Sequence, residues 1–342
     1  MIPLPMLEPI RTVSVVVPTH NRTRLLPLTL FSVLRQQEVD LEVIVVDDGS
    51  TEDLRGAVGE LNDPRVRLLR QEPQGVSVAR NRGVAEAGGR WVAFVDDDDL
   101  WAPNKLMMQV RAAEQEERGW SYTGSVNVSE DLRLLGGAPP AEPDDVVAAL
   151  PRVNLIPGGC SGVVARRELL SPQLFDPSYR HFADWDLWIR LSRFDRPVAV
   201  RHPLVGYRIH GGNRSLDTAG MVAELDEIEK RYGGPVDRAQ FYQHVARVSL
   251  RVSRYRAAVG YYVRAAATDR HYRSRDFAPD VFEVAQEATR GLRHRFRRVF
   301  GDAPTLDTTT RPRRRYAAHR PWVEQARSWL DELAVHQSNA VR

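Results

Sequence analysis

The feature that most restricts how this chain folds is an alternation in its first hundred residues. Short apolar, β-branched runs give way to a polar turn and then to a segment with helical spacing. Val13–Val17 (VSVVV) reads as a buried strand. Pro18-Thr19-His20-Asn21 breaks it, and Arg24–Gln36 follows with Leu25, Leu28, Phe31 and Leu34 on one helical face. LEVIVVDDGS predicts a second strand that runs into two aspartates and a glycine. Next come a helix over Leu54–Leu61, a strand over Val66–Leu69, a helix over Ser77–Ala87 and a strand over Trp91–Val95. Such alternation predicts an α/β fold, a mainly parallel sheet with helices on both faces. Ligands of such sheets bind beyond the carboxyl ends of the strands, where PTHN, DDGS and DDDD collect.

The stretch FVDDDDLW, Phe94 to Trp101, places four aspartates together after an apolar run. Adjacent carboxylates repel, so their grouping needs a reason. One is a turn, with Asp99 capping the next segment. Another is a divalent cation, with oxygen ligands suited to magnesium or manganese. There is no GxxxxGK[ST] loop and no GxGxxG opening the first helix, which weakens the nucleoside triphosphatase and dinucleotide readings. A diphosphate at this edge would need a cation to bridge it to the carboxylates.

A single cysteine, Cys160, excludes an intrachain disulfide framework and any multi-cysteine zinc site. No apolar run approaches the ~20 residues of a membrane helix, and MIPLPMLEPIRT lacks a signal-peptide pattern. The expectation is a cytoplasmic protein. Arginine accumulates late, in GLRHRFRRVF and RPRRRYAAH. These runs read as a solvated helical face and a basic linker, or as a salt-sensitive peripheral contact with anionic lipid at the inner membrane face or with an acidic acceptor. No nucleic-acid partner is expected. Gly136–Asp145 reads as a surface loop, the chain from Met221 onward as mostly helical, Gly301–Arg315 as a linker and Trp322–Val335 as an amphipathic helix. The expected division is a catalytic domain over residues 1–215 and a helical extension over 216–342, available for acceptor, membrane or homodimer contacts.

Six segments carry a resemblance: VSVVVPTHNR, LEVIVVDDGST, GVSVARNRGV, WVAFVDDDDLW, FADWDLWIRL and VGYRIHGGNRS. In order and spacing the chain resembles glycosyltransferase family 2 over roughly residues 11–215. The resemblance implies a GT-A, Rossmann-like fold and a nucleotide-diphospho-sugar donor. It places Pro18, Thr19, Asn21 and Asp48 at the nucleotide, with Asp48 accepting from the ring N–H of uracil or thymine, and leaves Asp47 structural. Arg80 falls at the nucleotide or its phosphates. The Asp-x-Asp motif maps to Asp96, facing the ribose and sugar, and Asp98, ligating Mn2+ or Mg2+; Asp97 is peripheral on the donor side. Asp99 is an alternative ligand or a cap, and His210 a third ligand. His181, Trp185, Gly159 and Ser161 fall on the acceptor side.

An acceptor hydroxyl must lose its proton, and FADWDLWIRL offers Asp184 or Asp186 as base. On a helix Asp184 shares a face with Leu187, Trp188 and Leu191, whereas Asp186 lies about 200° round and can pair with Arg190. Helical geometry and the resemblance both select Asp184, which also reads as an N-cap. The function expected is a metal-dependent inverting glycosyltransferase. The alternatives are a retaining enzyme on the same fold and a non-catalytic binding or scaffold protein. The acceptor, whether polysaccharide, lipid-linked sugar, protein or small metabolite, is not set by these residues.

Overall fold

β1 (Ile10–Thr19) and β2 (Val39–Asp48) pair in parallel, Val15 opposite Val43, in a computed structural model that describes residues 10–213, 217–251, 254–268 and 314–340. The arginine run 290–298 and most of the expected linker 301–315 lie outside the described residues. The first strand is VSVVV because both its faces are covered: Val13, Val15, Val16 and Val17 are all fully buried. α1 (Leu26–Leu34), α2 (Leu54–Gly59) and α3 (Val76–Ala85) alternate with β3 (Val66–Gln71) and β4 (Trp91–Phe94), as expected from the periodicity.

The chain then turns antiparallel. After β5 (Leu100–Trp101) and α4 (Lys105–Gln115) come the hairpin of β6 (Trp120–Ser129) and β7 (Leu134–Ala138), α5 (Pro143–Ala149), β8 (Val163–Arg166), α6 (Arg167–Leu170), α7 (Ala183–Leu191) and β9 (Val198–Ile209). The sheet has nine strands in the order β3-β2-β1-β4-β8-β6-β9-β5, with β7 beside β6. β8 is antiparallel to β4, so the Gly159–Gly162 turn that feeds β8 arrives at the carboxyl end of β4. β9 is antiparallel to β5, Gly206 opposite Leu100, and so brings its end back to the aspartate run.

Two expectations change. The segment Gly136–Asp145 is not a loop: its glycines belong to β7, and Pro143 opens α5. Gly137 lies so close to β6 that a Cβ there would stand 2.9 Å from the Ser125 carbonyl, so glycine marks a tight hairpin rather than a loop. The division at 215 also differs. One unit comprises residues 1–208 and 318–342, the other residues 209–317. The second unit contains α8 (Thr218–Tyr232), α9 (Arg238–Arg251) and α10 (Tyr255–Thr268), helical as read. After α11 (Arg314–Glu324), α12 (Arg327–Ala340) packs onto the first unit. There His336 stacks on Phe31 with ring centroids 3.4 Å apart, and Glu332 pairs with Arg35. Among the described residues no helix is long and apolar enough to cross a membrane.

Candidate active site

Three parallel strands, β2, β1 and β4, deliver their carboxyl ends to one edge, with Thr19 opposite Asp47 in register. The turns after β1 and β2 are laced together. Asn21 adopts a left-handed φ of 53°, its amide donates to Ser50 Oγ at 2.9 Å, and its side-chain oxygen accepts from the Thr51 and Glu52 amides. His20 Nδ1 lies 2.8 Å from the Asp48 carbonyl. Thr19, just after Pro18, is almost fully buried. Asp47 is structural, accepting from the Ser50 amide and from Arg70, each at 2.8 Å. The Asp48 carboxylate accepts from Gln71 Nε2, the Gln74 amide and the Gly75 amide at 2.7–2.8 Å. A carboxylate has about four acceptor sites, so a nucleobase N–H would take the last rather than meet a free group.

The four aspartates have four different environments. The Asp96 amide donates to Ser161 Oγ at 3.0 Å, and its carboxylate pairs with Arg80 at 2.5 Å. Asp97 stands 4.0 Å from Arg22 Nε; burial, with the charge of Asp98 beside it, pushes its carboxyl up to about 7. Asp98 is half-buried, its carbonyl held by Arg208 Nε at 2.6 Å. Asp99 is fully buried, accepting from Ser161 Oγ at 2.6 Å and the Arg208 amide at 3.2 Å, and burial holds its carboxyl well above the usual range. Asp99 is therefore a strut, not an accessible ligand. Ser161, expected on the acceptor side, instead braces the aspartate run from beneath.

Arg208 completes that brace by donating to the Leu25 carbonyl at 3.2 Å and to Thr29 Oγ1 at 3.1 Å, which joins α1 to the aspartates. The sequence reading treats this arginine only as part of a motif. Its partners lie 110 and 183 residues away, and only the β5–β9 pairing brings them together.

Asp184 begins α7 without capping it: Phe182 is the N-cap, with no side-chain cap bond. Asp184 Oδ1 accepts from the Trp185 amide at 2.7 Å. Gly159, at φ 53°, approaches so closely that a Cβ there would lie 3.3 Å from Asp184 Oδ2. Burial pushes the Asp184 carboxyl up to about 6, against the opposing charge of Arg80. Asp186 pairs with Arg190 at 2.7 Å as the helical spacing requires, but it is fully buried, because α7 is covered almost all round.

His181 is half-buried at the entrance to α7. Trp185 is not an open platform for a sugar: it is 5% exposed, its indole N–H donates to the Leu150 carbonyl at 2.7 Å, and Phe182 packs edge-on against it. Trp188 stacks on Trp120. Cys160 is buried, which pushes its thiol up and away from nucleophilic use.

His210 falls in the second unit. Its amide donates to Asn213 Oδ1 at 2.6 Å, and its Nδ1 accepts from the Gly212 amide at 3.1 Å. An accepting Nδ1 leaves the proton of neutral imidazole on Nε2, so metal binding through Nε2 would require the other tautomer.

Among the described residues no three His, Cys, Asp or Glu side chains converge to hold a metal by themselves. The residues nonetheless fit a cation shared with substrate. Asp96 is paired with Arg80 and Asp99 is sealed, whereas Asp98 is half-buried at the edge with its carbonyl held by Arg208, and magnesium is commonly held by one or two carboxylates plus phosphate oxygens. Burial raises Asp97 and Asp99 most, and the charge of Asp98 beside them adds to it; a cation would relieve that second part.

A sheet whose parallel strands end at this edge and whose later strands return antiparallel to it is a GT-A-like fold. Residues 14–144 match the family described as Glycosyl transferase family 2. The chain is 31% identical over 189 residues to the Escherichia coli UDP-Glc:alpha-D-GlcNAc-diphosphoundecaprenol beta-1,3-glucosyltransferase WfgD, covering 55% of this chain and 72% of that one. It is 32% identical over 184 residues to the putative teichuronic acid biosynthesis glycosyltransferase TuaG of Bacillus subtilis, covering 53% and 72%. It spans only 30% of the length of an uncharacterized glycosyltransferase of Rickettsia bellii, to which it is 30% identical. Among solved structures it is similar to S. aureus TarS 1–349 in complex with UDP-GlcNAc, with a TM-score of 0.51 and 16% identity, covering 96% of this chain and 91% of that one. The chain belongs to glycosyltransferase family 2, a family of transferase enzymes.

Proposed function

We propose that the protein transfers a sugar from a nucleotide-diphospho-sugar, with a UDP- or TDP-sugar favoured, to an acceptor hydroxyl with inversion at the anomeric carbon. The observation that carries this reading is the Asp184 carboxylate, buried near the Asp96–Arg80 pair and raised to about 6. A carboxylate poised near the working pH serves as general base. Asp184 takes the acceptor proton as the hydroxyl oxygen attacks the anomeric carbon, and the bond to the nucleoside diphosphate breaks on the opposite face. Pro18, Thr19, Asn21 and Asp48 frame the nucleotide, Asp96 faces the ribose and sugar, and Asp97 closes the donor side beside Arg22. Asp98 would hold Mn2+ or Mg2+ together with the diphosphate oxygens, and a cation so bound neutralises charge on the departing diphosphate. The activities named for the Escherichia coli relative favour a lipid-linked saccharide as the acceptor class.

Calorimetric titration of UDP, TDP and GDP with and without manganese tests the donor half. One diphosphate should bind tightly only with the metal, and Asp98→Ala should abolish that dependence. Metal-independent binding unchanged in Asp98→Ala would remove the cation from the reading. For the base, Asp184→Asn should lower kcat by about 100-fold or more with the diphosphate affinity preserved. Turnover with retained configuration, and little loss in that variant, would replace the inverting mechanism.

A further inference from the structure

Arg80 is assigned by resemblance to the nucleotide or its phosphates, yet its side chain is only 8% exposed. One Nη2 pairs with Asp96, the guanidinium carbon lies 5.3 Å over the ring of Phe175, and Nε has no hydrogen-bond partner among the described residues. The Gly159–Ser161 turn joins the surroundings of two carboxylates, since Ser161 Oγ accepts from the Asp96 amide at 3.0 Å and Gly159 lies against Asp184, and the charges of Asp96 and Asp184 both act on this guanidinium. Arg80 therefore sits between the donor-side carboxylate and the base.

Its neighbour explains why it stays there. Asn81 makes a reciprocal pair with the backbone of Phe175: Nδ2 donates to the Phe175 carbonyl at 2.8 Å, and Oδ1 accepts from the Phe175 amide at 2.9 Å. Ser77, one turn earlier on α3, donates to the Tyr179 carbonyl at 3.0 Å. α3 thus grips the segment leading into α7 at two points, and Phe175, itself buried, covers the guanidinium. The Arg-Asn dipeptide joins the two halves of the site: Arg80 by charge, Asn81 by backbone.

We propose that Arg80 is a positioning residue that divides its single charge between Asp96 and Asp184 and keeps Asp184 ionised as the base, rather than a ligand of the nucleotide. The inference rests on the reading of Asp184 as the general base. It also links the two substrates. When the donor's ribose hydroxyls donate hydrogen bonds to Asp96, the guanidinium is left freer to turn to Asp184, so donor binding readies the base for the acceptor.

The test is the pH profile of kcat with saturating donor, alongside calorimetric UDP affinity and a thermal melt for each variant. Arg80→Met should move the acid limb up by about one pH unit or more, a loss of about tenfold on that limb, with UDP affinity changed less than about threefold. Arg80→Lys, which keeps the charge, should restore the limb. Asp96→Asn releases Arg80 and removes a negative neighbour, so it should move the limb down. Opposite displacements by two partners of one ion pair are not produced by a merely structural role. An unmoved limb together with a tenfold loss of UDP affinity in Arg80→Met would return Arg80 to the nucleotide and overturn the proposal. Should Arg80→Met not fold, Asp96→Asn and Arg80→Lys decide: a limb unmoved in the first, or displaced upward in the second, also overturns it. Activity retained in Asp184→Asn would instead remove the base itself, a separate failure.

Discussion

Lys105 carries its ammonium group into the core at the first residue of α4, fully buried, with no hydrogen-bond partner among the described residues and only the Trp101 ring, 3.9 Å away, beneath it. Burial without a counter-charge pushes its pKa well below the ordinary value, so the folded chain holds fewer protons there than the unfolded one. Above the lowered folded pKa the unfolded state binds more protons, and the stability of the native chain rises with pH towards the ordinary lysine value, by up to about 1.4 kcal/mol per unit. Lys105→Met should raise the melting temperature at neutral pH, and its advantage should narrow as the pH is taken to about 9. A constant difference across that range in urea titrations would mean that the amine is not desolvated as the structure shows. On the proposed role of Asp184 as base, its proton must leave before it acts, and turnover measured against pH should rise through about 6.

At the scale of elements, α3 is set by a glycine rather than by its caps. A Cβ at Gly83 would lie 2.3 Å from Val16 Cγ1 on β1, so the helix rides directly on the strand. Gly83→Ala should cost about 1–3 kcal/mol by overpacking and should reduce turnover as well, because α3 carries Arg80 and Asn81. Adding Val16→Ala removes the obstructing methyls, and the double variant should recover most of the turnover lost by Gly83→Ala alone. Additive losses, measured by denaturant titration and initial rates, would show that α3 is not seated by this contact. The turn before β8 makes a similar demand, since Gly159→Ala would crowd Asp184 at a left-handed φ.

Across the whole molecule, the last helix belongs to the first unit. Trp329, Leu330 and Leu333 of α12 are buried, Trp329 lies against Gly206 of β9, and Trp322 before it covers Gly124 of β6. Fully burying such side chains stabilises by roughly 1.5–3 kcal/mol each. Ending the chain before Arg327 should therefore lower the melting temperature of the first unit markedly and expose Phe31 and Gly206, with dye binding by exposed apolar surface as the reporter. An unchanged melt would make α12 an accessory.

How much of this was legible follows from range. The first four strands and three helices are written in local periodicity, because a strand buried on both faces must be apolar at every position, as Val13–Val17 is. The convergence of PTHN, DDGS and DDDD followed from parallel topology alone, and the Asp186–Arg190 pair from the 100° step of a helix. Tertiary structure decided how those polar groups are used. Four adjacent aspartates look alike in sequence, yet Arg80 claims Asp96 and Ser161 seals Asp99, because partners from α3 and the β8 turn arrive across the sheet. Trp185 and Ser161 were misplaced for the same reason: a side chain's neighbours are set by strand order, which local pattern does not encode. The amphipathic pattern of the C-terminal helix states that one face is buried. Only the fold states against what, because an apolar stripe is non-directional and any apolar surface of matching shape satisfies it.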